Sequence, residues 1–173
     1  MVTSQVRYRD PNHWLFGKAT GGSGLLGWLG CHYIDILCYM LDDRIVEVTA
    51  MVGNQNPERL EVEDTAMLTL RFGGGALGTL HAGYHLPGSE GGYSGASYDS
   101  FLALRGTEGY VRLPMEDSGY TLFSQAPGWA NGGMQYRSFD PPKSNAYGGI
   151  GGLQFVQDFL AASRTGAPAP VPI

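Results

Sequence analysis

The sequence has few cysteines and little charge of either sign. It contains 2 cysteines in 173 residues, with 11 lysines and arginines against 16 aspartates and glutamates, which gives a formal net charge of −5. The basic residues do not form clusters, whereas a protein that binds nucleic acid presents a basic patch. We therefore expect no nucleic-acid partner.

Long apolar runs and an N-terminal targeting pattern are also missing. No uninterrupted apolar stretch reaches the roughly 18 residues of a membrane span, and the opening residues MVTSQVRYRD lack the layout of a signal peptide. If Cys31 and Cys38 share a helix, they are separated by roughly 10 Å along its axis, too far for a disulfide. We interpret both as reduced core residues and expect a cytoplasmic protein without a membrane partner.

Glycine, by contrast, is abundant, with 27 residues, and hydrophobic residues make up 43% of the chain. This glycine content indicates many turns and close approaches between backbone segments. The length is sufficient for one domain with its own core. We therefore predict a single domain over residues 1–173.

Apolar periodicity predicts two helices and eight strands. Residues 23–41 form a long helix, with Thr20 or Ser23 as its N-cap, that is apolar nearly all round and should be buried on most sides. Residues 152–164 form a second helix with one apolar side. Alternation predicts strands at 2–9, 44–53, 64–72, 76–86, 99–105, 109–113, 119–124 and 134–139. This order predicts an α+β fold, an open and mostly antiparallel sheet with helices packed on one face, and no Rossmann domain.

One segment contains the spacing of a dinucleotide-binding loop. Gly22, Gly24 and Gly27 spell G-x-G-x-x-G, but such a loop must follow a buried strand, and the preceding LFGKAT is short and polar. We interpret these glycines as the start of the first helix and expect no cofactor phosphate there. Gly27 and Gly30 then lie inside the helix, which suggests that another backbone or a ligand comes close to it.

The polar exceptions on this helix fall on one side. Trp28, His32, Asp35 and Tyr39 follow each other at spacings of four, three and four residues. A histidine on an apolar helix is most often a hydrogen-bonded core residue. It also titrates near neutrality and therefore suits proton transfer, so the pattern alone leaves both interpretations open.

Five blocks in the same order carry a family resemblance: GGSGLLGWLGCHYIDILCYML, VEVTAMVG, VEDTAMLTLRFGGGALGTL, LRGTEGYVRL and FVQDFLAASRTGAPAP. With them the chain resembles the C-terminal domain of the glucose-fructose oxidoreductase / inositol dehydrogenase (Gfo/Idh/MocA) family. The resemblance implies an NAD(P)-dependent dehydrogenase of a sugar, cyclitol or related polyol. Its Rossmann domain and catalytic lysine are not in this chain. Residues 1–173 would then be the substrate-binding and oligomerisation domain of a longer enzyme, inactive alone and without cofactor of its own.

The resemblance also implies roles for single residues. His32 matches the family's active-site histidine, the proton acceptor when an alcohol is oxidised to a ketone, and Asp35 would orient its imidazole. The family's aspartate four residues before the histidine is replaced here by Trp28, an aromatic wall for a sugar ring. We predict four substrate-binding residues: Trp28, Asp35, Arg9 and Trp14. For Arg9 and Trp14, a solvent-facing strand edge is the competing interpretation.

Two further expectations concern partners. An open apolar sheet face rarely stays in water, so we expect a homo-oligomer formed through it. His81 and His85 lie about 13 Å apart along a strand, too far for one metal ion, and we expect no metal. The alternative function is a non-catalytic dimerisation or carbohydrate-binding module, which the replacement of the family's aspartate by Trp28 favours.

Overall fold

The computed structural model describes residues 2–6, 11–86, 99–114, 118–129, 133–140 and 142–170, with the backbone alone at 2–6, 84–86 and 99. Two compact units are distinguished, Met1–Arg137 and Ser138–Ile173. The elements in chain order are β1 (Val2–Val6), a 3₁₀ turn (Trp14–Phe16), α1 (Lys18–Gly21), a π-helical stretch (Leu26–Gly30), α2 (Cys31–Leu41), β2 (Ile45–Gly53), β3 (Thr65–Phe72), β4 (Leu77–Leu86), β5 (Asp99–Gly106), β6 (Gly109–Pro114), β7 (Gly119–Ser124), β8 (Gly133–Ser138) and α3 (Gly149–Thr165).

The strands form one eight-stranded sheet in the order β2-β3-β4-β1-β5-β6-β7-β8. Among the described pairings, β1 runs parallel to β4 and the others are antiparallel. The predicted α+β class with an open, mostly antiparallel sheet is therefore confirmed, and the described residues contain no Rossmann-type unit. The parallel pairing of β1 with β4 joins segments far apart in the sequence.

The core lies between α2 and one face of the sheet, which we call the covered face. Strand β3 alternates strictly, because Ala66, Leu68, Leu70 and Phe72 are buried while the residues between them are not. The register places Leu80 of β4 on the same face, opposite Leu68. The helical segment contributes to the core a row of buried side chains spaced four residues apart: Leu25, Leu29, Tyr33 and Leu37.

The prediction that this helix is buried on most sides is wrong. One stripe packs on the sheet, while Cys31, Tyr39 and Met40 are exposed on the remaining surface. The prediction of Cys31 as a core residue fails for the same reason, since Cys31 lies off the buried stripe; Cys38 is half-buried, and both are free thiols. By length and composition the helical run Lys18–Leu41 would suffice to cross a membrane, but its buried residues belong to the core beneath the sheet.

Helix α3 belongs to the second unit and follows the predicted boundaries closely. None of its residues is buried. The residue that follows its last turn, Gly166, has a φ of 70°, the left-handed conformation common at helix ends. Gln154 donates a hydrogen bond to Asp158 one turn later. Its exposed apolar side chains are Ile150, Leu153, Phe155, Val156, Phe159 and Leu160.

Candidate functional site

The helix that carries His32 is held at its N-terminus by the chain segment before β3. The carboxylate of Glu63 accepts hydrogen bonds from the amides of Gly24 (2.9 Å) and Leu26 (3.2 Å), and the Glu63 carbonyl accepts one from Leu25 (3.1 Å). These are amides that a helix start leaves without an intrahelical partner. The cap therefore comes from a distant residue, and the prediction of Thr20 or Ser23 as N-cap is wrong.

Gly24 allows this contact. A Cβ atom built on Gly24 would lie 1.9 Å from the carbonyl oxygen of Glu63, so no larger residue fits without moving the backbone. The close approach that was predicted at Gly27 and Gly30 is not found there. A Cβ at these two positions would first meet the side chain four residues earlier in the same segment, that of Ser23 and Leu26 respectively.

The same contact bears on the G-x-G-x-x-G spacing. A phosphate at a helix N-terminus needs free amides and favourable charge. Here the acidic side chain of Glu63 accepts hydrogen bonds from two of these amides, and the Glu63 carbonyl accepts one from a third. A cofactor pyrophosphate does not fit this segment. The geometry supports the interpretation that these glycines serve packing between the helix and its neighbouring loop.

Asp64, the next residue, fixes the loop from which Glu63 reaches the helix. Asp64 is 1% exposed and accepts hydrogen bonds from the amides of Gln55 and Asn56 at 2.8 and 2.9 Å. The side chains of Asn56 and Thr65 donate to it as well. Asp64 therefore has a structural role, and the two adjacent carboxylates bind two different segments.

His32 lies on the exposed side of α2, directly after the π-helical stretch. Leu29 and Tyr33 on either side of it are buried, which fixes the rotation of the helix on the sheet, while His32 itself is exposed. Asp35 lies one turn further and is also exposed. A wider helical turn of this kind is frequent at functional sites. The imidazole is therefore accessible rather than enclosed in the core.

A row of aromatic rings leads away from Trp28 in the π-helical stretch. The Trp28 ring is half-buried and lies 6.3 Å from the ring of Phe16, which in turn lies 6.2 Å from the His13 ring. Trp14 follows at 5.7 Å from His13. Together they form a continuous aromatic cluster that joins the π-helical stretch to residues 13–16.

A cavity of about 610 Å³ opens beside this cluster. It is lined by residues 11–14, 16, 17 and 20 from one segment and by residues 58–61 from another. Trp14 is 59% exposed there, and Glu61 joins the two segments by accepting a hydrogen bond from the Lys18 amide at 2.9 Å. The cavity combines an aromatic face with charged groups, a combination suited to a polar ring.

The structure brings the predicted site residues together only in part. Trp14 lines the aromatic cavity, Trp28 borders the same cluster through Phe16, and His32 and Asp35 are outside the cavity lining. Arg9 lies outside the described residues. The sequence interpretation missed Glu63, His13 and Arg59; for Glu63, the pair of carboxylates directly before a buried strand was the available signal.

Comparison with known proteins places this geometry in a family. Residues 1–112 match the GFO/IDH/MocA C-terminal domain, which is well over half of the chain. The chain belongs to this family. Levoglucosan dehydrogenase of Pseudarthrobacter phenanthrenivorans is 28% identical over 59% of this chain, which corresponds to 30% of that protein.

Solved structures of GFO/IDH/MocA-like proteins share the fold. A levoglucosan dehydrogenase in complex with NADH and levoglucosan superposes with a TM-score of 0.73 at 22% identity, over 96% of this chain and 48% of its own. Aldose-aldose oxidoreductase from Caulobacter crescentus, complexed with glycerol, gives 0.72 at 20% identity, over 99% of this chain and 47% of its own. The chain therefore spans about half the length of these solved relatives.

The second face of this GFO/IDH/MocA domain, which we call the open face, is apolar in places. Met51, Met67 and Leu77 are 77%, 52% and 70% exposed, and the register places all three on the side of the sheet opposite to Leu70. His81 also lies on this face, opposite Met67, whereas the side chain of His85 lies outside the described residues. In the described part of the chain no three His, Cys, Asp or Glu residues are grouped as metal ligands.

Arginines and aromatic rings continue the open face toward β7. The guanidinium of Arg112 lies 4.4 Å from the ring centre of Phe101, and that of Arg105 lies 5.6 Å from Tyr110. Tyr110 stacks on Phe123 at 5.7 Å. Such rings combine apolar area with polar edges, as in many protein–protein interfaces.

Proposed function

We propose that this chain is the substrate-binding and oligomerisation half of an NAD(P)-dependent dehydrogenase that acts on a sugar, cyclitol or related polyol. The observation that carries the proposal is the exposed His32 on a helix that Glu63 and the core hold in place. Membership of the GFO/IDH/MocA family supports it, as do the relatives, whose names describe sugar oxidoreductases.

The proposed chemistry divides between two halves. The nicotinamide cofactor, bound by the half that is not in this chain, supplies the hydride acceptor. An imidazole nitrogen of His32 accepts the hydroxyl proton as the alcohol becomes a ketone. Asp35, one turn on, orients the imidazole, and the Trp28 and Trp14 rings contact the apolar side of the substrate ring. Arg9 is a further proposed substrate contact.

We also propose that the open face joins two or more subunits. Its exposed methionines, Leu77 and the arginine-covered rings form a surface of the composition that associates. A closed homo-oligomer would bury this surface between like copies.

Steady-state kinetics of the longer protein tests the catalytic role. His32→Ala should lower kcat by about 10²-fold or more, because the hydroxyl proton loses its acceptor. Cys31→Ala is the matched control, since Cys31 is the adjacent exposed residue and should leave kcat unchanged. Unchanged turnover in His32→Ala would remove this residue from the mechanism.

The replacement of the family's aspartate by Trp28 favours a second candidate, a non-catalytic dimerisation or carbohydrate-binding module. Trp28→Phe keeps an aromatic ring against Phe16 and distinguishes the two. If the longer protein is a dehydrogenase, Trp28→Phe should raise its KM for the sugar and should affect kcat less. If the protein is a non-catalytic module, calorimetry should detect sugar binding, and the longer protein should show no cofactor-dependent turnover.

A further inference from the structure

One arginine in the aromatic cavity has a guanidinium group that the protein itself does not use. Arg59 lines the cavity together with Trp14, and both side chains are exposed. In the part of the chain that the structure describes, no acidic side chain pairs with the Arg59 guanidinium and no group accepts a hydrogen bond from it. Its N–H groups are therefore available to a ligand in the cavity.

Two glutamates line the same cavity, but neither neutralises this arginine. Glu61 accepts a hydrogen bond from the Lys18 amide at 2.9 Å, and this contact joins the two walls of the cavity. The Oε2 atom of Glu58 is buried, so a ligand in the cavity does not reach it. Each carboxylate is thus engaged or enclosed at one oxygen, whereas the guanidinium of Arg59 keeps all of its donors.

The turn before Arg59 is fixed from the core. The φ of Arg59 is 50°, a left-handed conformation that favours glycine, and its amide donates to the Asn56 carbonyl at 3.2 Å. Asn56 is buried, and its own amide and side chain donate to the buried Asp64. A residue with a long side chain keeps such a conformation only where its surroundings hold it, and residues of this kind cluster at ligand sites.

The opposite wall of the cavity is fixed as well. The hydroxyl of Thr20 donates to the carbonyls of Trp14 and Gly17, at 2.5 and 3.2 Å, and closes the turn that carries the Trp14 ring. The cavity therefore presents an exposed indole on one fixed wall and a guanidinium on the other. This pair suits a cyclic ligand that carries an anionic group, because the ring contacts the indole while the anion binds the guanidinium.

We propose that Arg59 determines substrate specificity by binding an anionic group, a carboxylate or a phosphate, on the sugar or polyol whose ring contacts Trp14. The inference rests on the proposed function, because it concerns the substrate of the same enzyme. The guanidinium is planar, and its paired N–H groups match two oxygens of a carboxylate or a phosphate. A neutral sugar offers only hydroxyl groups to Arg59 and binds less tightly.

Three ligands with the same sugar skeleton test this on the full chain: D-glucuronate, D-glucose 6-phosphate and neutral D-glucose. Calorimetric titration gives the Kd of each. We expect at least one of the two anions to bind about tenfold more tightly than glucose, and the anion that does so distinguishes a carboxylate from a phosphate. Arg59→Gln should abolish this preference, whereas Arg44→Gln, which removes an exposed arginine outside the cavity lining, should preserve it.

Two further variants separate ligand binding from a structural role. Arg59→Lys should retain part of the preference, since it keeps the charge but loses the paired donors. Arg59→Gly should lose the preference without a lower melting temperature, because glycine adopts the left-handed conformation at no steric cost.

Equal Kd values for the three ligands, or no binding of either anion by the native chain, would overturn the proposal. A preference that persists in Arg59→Gln would overturn it as well. These measurements need neither cofactor nor turnover, so they fail or succeed independently of the His32→Ala kinetics that test the proposed function.

Discussion

The two faces of strand β3, which is eight residues long, differ in burial and therefore in role. Leu68 and Leu70 on the covered face are 7% and 1% exposed, whereas Met67 and Thr69, which alternate with them, are exposed on the open face. The π-helical stretch and α2 repeat this division, since Leu29 and Tyr33 are buried while His32 is exposed. The core therefore fixes the position of the surfaces that we propose for catalysis and association, and it does so from the same elements.

The largest effect on folding is expected on the covered face. Leu70→Ala should lower the free energy of unfolding by about 3 kcal/mol, since it removes buried methyl groups and leaves a cavity. Met67→Ala, the matched change on the open face, should cost well under about 1 kcal/mol. Urea titration of both variants at low protein concentration measures the difference, and equal losses would mean that the two faces are not distinguished in solution.

The contact between Gly24 and Glu63 should show the next largest effect. Gly24→Ala places a Cβ against a carbonyl oxygen and should destabilise the fold by about 2 kcal/mol, as overpacked sites do. Gly151→Ala is the control, because a Cβ at that position of α3 meets no atom within 4 Å, and it should stabilise slightly through helix propensity. A neutral Gly24→Ala would contradict the close approach.

Loss of the helix cap should lower the free energy of unfolding by a smaller amount. Glu63→Gln keeps one carbonyl acceptor for the two amides of Gly24 and Leu26, so we expect a loss of about 1 kcal/mol. Glu61→Gln is a suitable control, since Glu61 contacts Lys18 outside this cap. In the longer protein, Glu63→Gln should also lower kcat modestly, as the helix that carries His32 becomes less fixed; identical stability of both variants would argue against capping.

The smallest effect concerns the turn between α2 and β2. Asp43 accepts hydrogen bonds from the amides of Gly74 and Arg44, both at 2.7 Å, and these hold the pKa of its carboxyl below the ordinary value of 3.8. The stabilisation is therefore fully present above that ordinary value and is lost as the pH falls through the lowered pKa. Asp43→Asn should be less stable than the native chain at about pH 7, and this difference should narrow toward about pH 3. A difference that does not change with pH would exclude the carboxylate as its source.

Local sequence patterns predicted most of the elements. The alternation in TAMLTLRF identified β3 within one residue, and the strand predicted at 76–86 corresponds to β4. The apolar helix and His32 on its polar side were also predictable, because helical spacing is a property of neighbouring residues.

Features that depend on distant residues were not predictable. The cap from Glu63, the parallel pairing of β1 with β4 and the cavity lined by Arg59 all join segments that only the tertiary fold brings together. The burial of the helix was overestimated for the same reason, since periodicity does not reveal how many neighbours cover a helix. Cys31 is exposed because the side of the helix that carries Leu29 and Tyr33 packs on the sheet.

Sedimentation velocity of the native chain and of Met67→Glu tests most directly whether the covered face folds the domain while the open face associates. We expect the native chain to sediment as a dimer or larger oligomer, and Met67→Glu to sediment as a monomer with nearly unchanged stability against urea. Tyr147→Glu, at a position 94% exposed in the second unit, should remain oligomeric. A native chain that stays monomeric over the accessible concentrations, or a Met67→Glu variant that associates as the native chain does, would contradict this assignment.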